Sequence, residues 1–202
     1  NAVFFGNEFY KQGDQYPLLY SNIYNNYAKA ENKRLGVCLV YRVQRIENEF
    51  KTKLVQYIEI GFCDNSSLWK ASDDSHGVRP YGNFVFDEKR RSLWAFVMRN
   101  ETLGTRYFRF DMPSVNDGVF DSALGVKRVV LREEDILEVF DCEYHRFIQG
   151  ATLRDGRIYS TEGFSNDNIN RPAIRVIDIS DHTEKYFDIT ENEIARYTIN
   201  LF

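Results

Sequence analysis

The 202-residue sequence predicts an all-β protein made of four-stranded antiparallel sheets repeated along the chain. Three observations carry that prediction. Residues 146–180 read RFIQGATLRDGRIYSTEGFSNDNINRPAIRVIDIS, which is three apolar or alternating runs divided by turn residues. Asp155-Gly156 sits between the first two runs, and Asp-Gly between alternating runs is the strongest short-range hairpin signal. The same pattern occurs upstream: Gly82 and Asp87 fall on Gly150 and Asp155, Leu93-Trp94 on Ile158-Tyr159, and Asp111 on Asp178. Aromatic residues make up 15% of the chain, and they suit pleated, half-buried strands.

A self-similar meander spaced at about 67 residues reads as a repeat architecture. Four-stranded units of this kind are propeller blades, arranged radially so that few edges stay open. The expected fold is therefore a β-propeller, or part of one, with about three blades over 1–64, 82–131 and 146–190. The first unit matches more loosely, with Leu19-Tyr20 on Leu93-Trp94 and Tyr41 to Gln44 on Phe108 to Asp111. Arg109 and Arg175 are 66 apart where Asp111 and Asp178 are 67 apart, the mark of a bulge or of a chance match. The spacing exceeds the roughly 40–50 residues of compact blades, so long loops are expected.

Taken in order, NAVFFG (1–6) is the first strand and YPLLYSNIY (16–24) the second. GVCLVYRVQRI (36–46) and KLVQYIEIGF (53–62) pair around the charged turn Glu47-Asn48-Glu49. The polar stretch from Cys63 to Pro80 is a crossover. The second unit has strands near 82–87, 91–99 and 104–112, closed by VKRVVL at 126–131. LWAFVM (93–98) is apolar on both faces, as in a strand sandwiched between sheets. Arg132 to Tyr144 places Ile136, Leu137, Val139 and Phe140 behind two glutamates, which predicts a short helical turn. The third unit ends with EKYFDI (184–189). Gly82 and Gly150 are expected to open innermost strands, where glycine suits a crowded axis. Trp94 and Tyr159 are expected to be equivalent and buried between blades.

Composition narrows the function. A net charge of −4 gives no basic stripe for nucleic acid, and no apolar run approaches the roughly 18 residues of a membrane-spanning helix. Cys38, Cys63 and Cys142 are odd in number and widely spaced, which predicts inert thiols rather than zinc or redox chemistry. A chain opening at Asn1 on a strand-like run is read as a mature product or a fragment.

In a propeller, loops entering the innermost strands gather at one mouth of the central channel. Those loops carry Arg79, Tyr81, Asn83, His145, Arg146 and Gln149, which are the expected ligand-binding residues. Arginine forks fit carboxylate, sulfate or phosphate, tyrosine stacks on a sugar ring, and Asn or Gln bonds hydroxyls. The bland alternative is that they satisfy loop backbone groups. No metal and no cofactor is expected, because His76, His145 and His182 share no ligand spacing. His145 is the candidate general base at the mouth. Ser165 to Asn168 and Asn116-Asp117-Gly118 read as turns rather than calcium loops, and Glu133-Glu134-Asp135 as a solvated helix start rather than a glycosidase carboxylate pair.

At IQGATLRDGRIYSTEGF (148–164) the chain resembles bacterial six-bladed propeller proteins, many of them exported. The resemblance implies the fold and an extracellular or envelope setting, and no catalytic residues. The expected function is a non-catalytic module recognising a glycan or a protein, with a glycan or anionic small ligand at the channel mouth. The alternative is an enzyme acting on a carbohydrate or sulfate ester there. Three blades do not close a ring of roughly four to eight. The remaining blades are expected from another segment, another chain or a symmetry-related copy.

Overall fold

The computed structural model describes residues 3–23, 36–62, 84–89, 91–144, 148–163 and 172–189. The chain is all-β there, with a single 3-10 turn at Glu133–Asp135 among the described residues. The first four strands form an antiparallel meander, as expected: β1 (Val3–Phe5), β2 (Leu19–Ile23), β3 (Val37–Ile46) and β4 (Glu49–Ile60). The β3–β4 hairpin turns on Glu47 and Asn48, and a bulge beside Val40 and Tyr41 shifts its register. Next come β5 (Val85–Asp87), β6 (Ser92–Asn100) and β7 (Gly104–Asp111), again an antiparallel meander.

The chain then departs from the expected order. The strands β8 (Val119–Asp121) and β9 (Val126–Leu131) form a hairpin that does not close the second sheet. Instead β9 runs parallel to β4, extending the first sheet to the order β1-β2-β3-β4-β9-β8. Packing explains the choice. Val129 and Leu131 pair with Ile58 and Ile60 and join the same apolar core. Two polar clamps hold the incoming loop. Buried Gln56 donates from Nε2 to the carbonyls of Ser114 (2.7 Å) and Asp117 (3.2 Å), and the Glu8 carboxylate accepts from the Ser114 hydroxyl at 2.8 Å.

The second sheet is completed by β10 (Glu138–Cys142), which lies where a helical turn is expected. The 3-10 turn precedes it, and the acidic residues there are exposed, with Asp135 accepting from the Arg132 amide at 2.7 Å. The expected short helical turn is present over Glu133–Asp135, but it does not extend to Val139 and Phe140, where cross-strand charge favours a strand. Arg106 and Arg109 of β7 stand directly opposite Asp141 and Glu138, and the pairs close at 2.6 and 2.9 Å.

The third sheet follows the sequence closely: β11 (Gly150–Arg154), β12 (Arg157–Glu162), β13 (Ala173–Asp178) and β14 (Glu184–Asp188). Asp155 and Gly156 both have positive φ (51° and 76°), the two-residue hairpin conformation that Asp-Gly predicts. Gly150 opens β11 as expected, while Gly82 lies outside the described residues.

The three sheets stack face to face in chain order, with one core between each pair. The strand β6 serves both. Leu93, Ala95 and Val97 face the first sheet, and Trp94 and Phe96 face the third. The strands β5 and β11, the first of the second and third sheets, approach with Cα atoms within 8 Å. No closed ring is seen among the described residues. The equivalence of Trp94 and Tyr159 holds for position but not for burial. Both lie on the second strand of their sheet, yet Trp94 is 0% exposed and Tyr159 36%. The next sheet covers Trp94, and no described sheet lies over the far face of the third.

Candidate functional site

Of the six expected ligand-binding residues, Arg79, Tyr81, Asn83, His145 and Arg146 lie outside the described residues, as does His76. Gln149 is described. It precedes β11, its side chain is exposed, and its backbone N–H donates to the Thr161 carbonyl at 2.8 Å. His182 sits elsewhere, at the β13–β14 turn, stacked on Phe140 with ring centroids 4.2 Å apart and its Nε2 3.2 Å from Glu138.

The outer strands of the second and third sheets bring a different set of charges together. Arg175, on β13, occupies the inward register between Ala173 and Ile177, and its side chain is only 5% exposed. Its Nε donates to Glu162 Oε1 at 2.6 Å, and its Nη2 reaches the other oxygen at 3.4 Å. Its Nη1 donates to Glu184 at 2.9 Å and to Glu143 at 3.3 Å. Glu184 also accepts from the Glu143 amide at 2.8 Å, which ties the end of the second sheet to β14. The Tyr186 ring lies under the guanidinium, 5.1 Å from its carbon, and is itself half exposed. Burial works to lower the Arg175 pKa, but the carboxylates of Glu162 and Glu184 outweigh it and hold the guanidinium above its ordinary value.

A second cluster adjoins the first. Asp141 accepts from Arg106 Nε and Nη2 at 2.6 Å each, and Arg99 Nη2 lies 2.9 Å from it. Burial acts to raise the Asp141 pKa, yet the two guanidiniums prevail and hold it below the usual carboxylate range. Arg99 is shifted the other way, down, by burial and by the like charge of Arg106. Beside these residues opens a cavity of about 390 Å3 lined by Arg99, Glu101, Thr102, Arg106, Asp141 and Glu143. Gly104 at its wall has φ +72°, and a Cβ there would fall 2.0 Å from the Cys142 carbonyl oxygen, so only glycine fits.

Glu143 belongs to both clusters, contacting Arg175 and lining the cavity, with a side chain 80% exposed. Together the clusters set Arg99, Arg106 and Arg175 against Glu101, Asp141, Glu143, Glu162 and Glu184, an excess of two negative charges. An acid-rich lip repels anions and accepts from hydroxyl donors. Ionised Asp141 is acceptor-only, and the arginines fix its orientation. Cys38 is fully buried, and burial pushes its thiol up to about 12; burial also pushes Cys142 up. Neither thiol is a nucleophile at neutral pH. Among the described residues no group of three or more His, Cys, Asp or Glu is arranged to hold a metal.

Sequence reasoning missed this centre because it looked to loops, whereas the centre is built on strand residues. One signal was available: in AIRVIDIS, Arg175 falls on the buried phase of the alternation, where a charge needs partners. No family model matches the chain, and no curated protein is significantly similar to it. No helix among the described residues is long and apolar enough to cross a membrane.

Proposed function

We propose that this chain is a non-catalytic binding module of propeller type that recognises a carbohydrate at the polar end of its second and third sheets. The observation that carries the reading is the cavity beside Asp141 and Glu143, whose acceptors are fixed by buried or half-buried arginines. Vicinal hydroxyls of a sugar pair with such preorganised carboxylates, and an exposed tyrosine beside them offers a stacking face. The acid excess favours neutral or basic sugars over sulfated ones.

A printed array of neutral, basic and sulfated oligosaccharides tests this with the purified chain. Binding to neutral or basic members is expected, weakened at least tenfold by Glu143→Ala without loss of the far-ultraviolet dichroism. Absence of binding at millimolar sugar would overturn the reading. Release of reducing ends or free sulfate from bound glycans would overturn its non-catalytic part.

A further inference from the structure

We infer that the projecting end of the β3–β4 hairpin takes up an extended segment of a partner protein as an added strand along residues 50–54, and that this segment alternates acidic and apolar residues. The projection follows from unequal strand lengths. The strand β2 pairs with β3 only over residues 37–41, and β9 pairs with β4 only over residues 56–60. Among the described strands, residues 42–46 and 49–54 therefore pair with each other alone, as a two-stranded arm. Such a hairpin is marginal in water by itself. Side chains of the β1–β2 loop brace it: Asp14 holds Arg42 at 2.5 Å, and Tyr16 packs on Phe50 with ring centroids 5.8 Å apart. No described strand pairs with the other edge of residues 50–54, about 17 Å of extended backbone. Unpaired peptide groups along an edge are a template for another strand.

The register says what that strand carries. Side chains alternate between the two faces of the arm. Lys51 and Lys53 stand on one face, opposite Gln44 and Arg42. Phe50, Thr52 and Leu54 stand on the other, opposite Arg45, Val43 and Tyr41. Arg42 is already matched by Asp14, whereas Lys53 is exposed. Lys51 meets Glu49 at 3.9 Å with both side chains largely exposed, a contact worth little. An added strand lays every second side chain beside a lysine and the others beside Phe50 and Leu54. Neighbouring opposite charges on one sheet face attract, and like charges repel. Carboxylates two residues apart thus fit the lysine face. Aliphatic or aromatic residues fit the other, where Phe50 is 64% exposed and Leu54 half-buried. The same lysines turn away the identical edge of a second copy, as charged edges do. This cationic edge also runs against the net charge of the chain, −4. The inference is independent of the carbohydrate reading, because the arm shares no residue with the Asp141–Glu143 cavity.

The probe is a labelled, end-capped octapeptide of alternating glutamate and valine. Its fluorescence anisotropy with the 202-residue chain is expected to show saturable binding at micromolar chain concentration. Hydrogen exchange should slow at the amides of residues 50–54 and not at those of β12 or β13, since main-chain bonds form at the edge. Lys51→Glu combined with Lys53→Glu alters two exposed side chains, so the strand dichroism should stay. That variant should bind the peptide at least about tenfold more weakly and should instead take an octapeptide of alternating lysine and valine. The glutamate–valine peptide with N-methylated backbone amides should not bind, because it cannot complete the ladder. Absence of binding at millimolar peptide overturns the inference. So does binding that ignores the charge reversal, or an N-methylated peptide that binds as well as its parent. Arm amides protected in the chain alone, through a concentration-dependent dimer, would give the edge to a second copy and overturn it too.

Discussion

Arg175 shows how a buried charge is held in a strand. Its guanidinium answers three carboxylates, and Glu162 is as buried as the arginine itself at 5%. Arg175→Ala strands that carboxylate, and the expected cost is about 3–5 kcal/mol by urea titration. Replacing both partners with apolar residues of similar volume, Arg175→Met with Glu162→Leu, should recover most of it, because the desolvation cost disappears with the pair. Asp141 gives a dependence on pH. Its folded pKa lies below the unfolded one, so its contribution is present at neutral pH and is lost as pH falls through the depressed value. Asp141→Asn should therefore flatten the acid limb of the stability curve below about pH 4, where wild type and variant converge. The aromatic pair gives a contrast in magnitude. Trp94→Ala should cost about 3–5 kcal/mol, since the whole side chain is buried. Tyr159→Ala should cost well under half of that, because its face is open to solvent. Equal losses at the two sites would contradict the burial described above.

At the scale of elements, the β8–β9 hairpin depends on the Gln56 and Glu8 clamps. Gln56→Ala should leave the Ser114 and Asp117 carbonyls short of a donor and cost about 1–3 kcal/mol. Hydrogen exchange should localise the effect: amides of β9 lose protection while those of β12 and β13 do not. This hairpin also marks the limit of what sequence reading reaches. Local chemistry announces local structure, so Asp155-Gly156 foretells its turn and the run from Leu93 to Met98 its sandwiched strand. Partner choice is not local. VKRVVL reads as the strand that closes the second sheet and EVFDC as part of a helical turn, yet EVFDC joins β7, because Arg106 and Arg109 meet its acids across the sheet. The same limit hid the Arg175 cluster: Glu162, Arg175 and Glu184 meet across three strands of the third sheet, and Glu143 joins them from the end of β10 once the second sheet packs alongside.

At the scale of the molecule, the sheets follow one another along the chain with one exception, and the exception governs the order of assembly. The first sheet gains its fifth strand only at Val126–Leu131, after β5, β6 and β7 have been made. The second gains its last at Glu138–Cys142, so the two are completed within 11 residues of each other, Leu131 to Cys142. During synthesis the early strands therefore wait with an open edge along β4 while the next sheet is begun. Nascent chains arrested before Val126 has cleared the ribosome should remain sensitive to protease throughout. Chains arrested once Cys142 is exposed should become resistant over both sheets in one step. The parallel pairing of β4 with β9 works as a stitch: it makes two sheets one folding unit and leaves the third to be added afterwards.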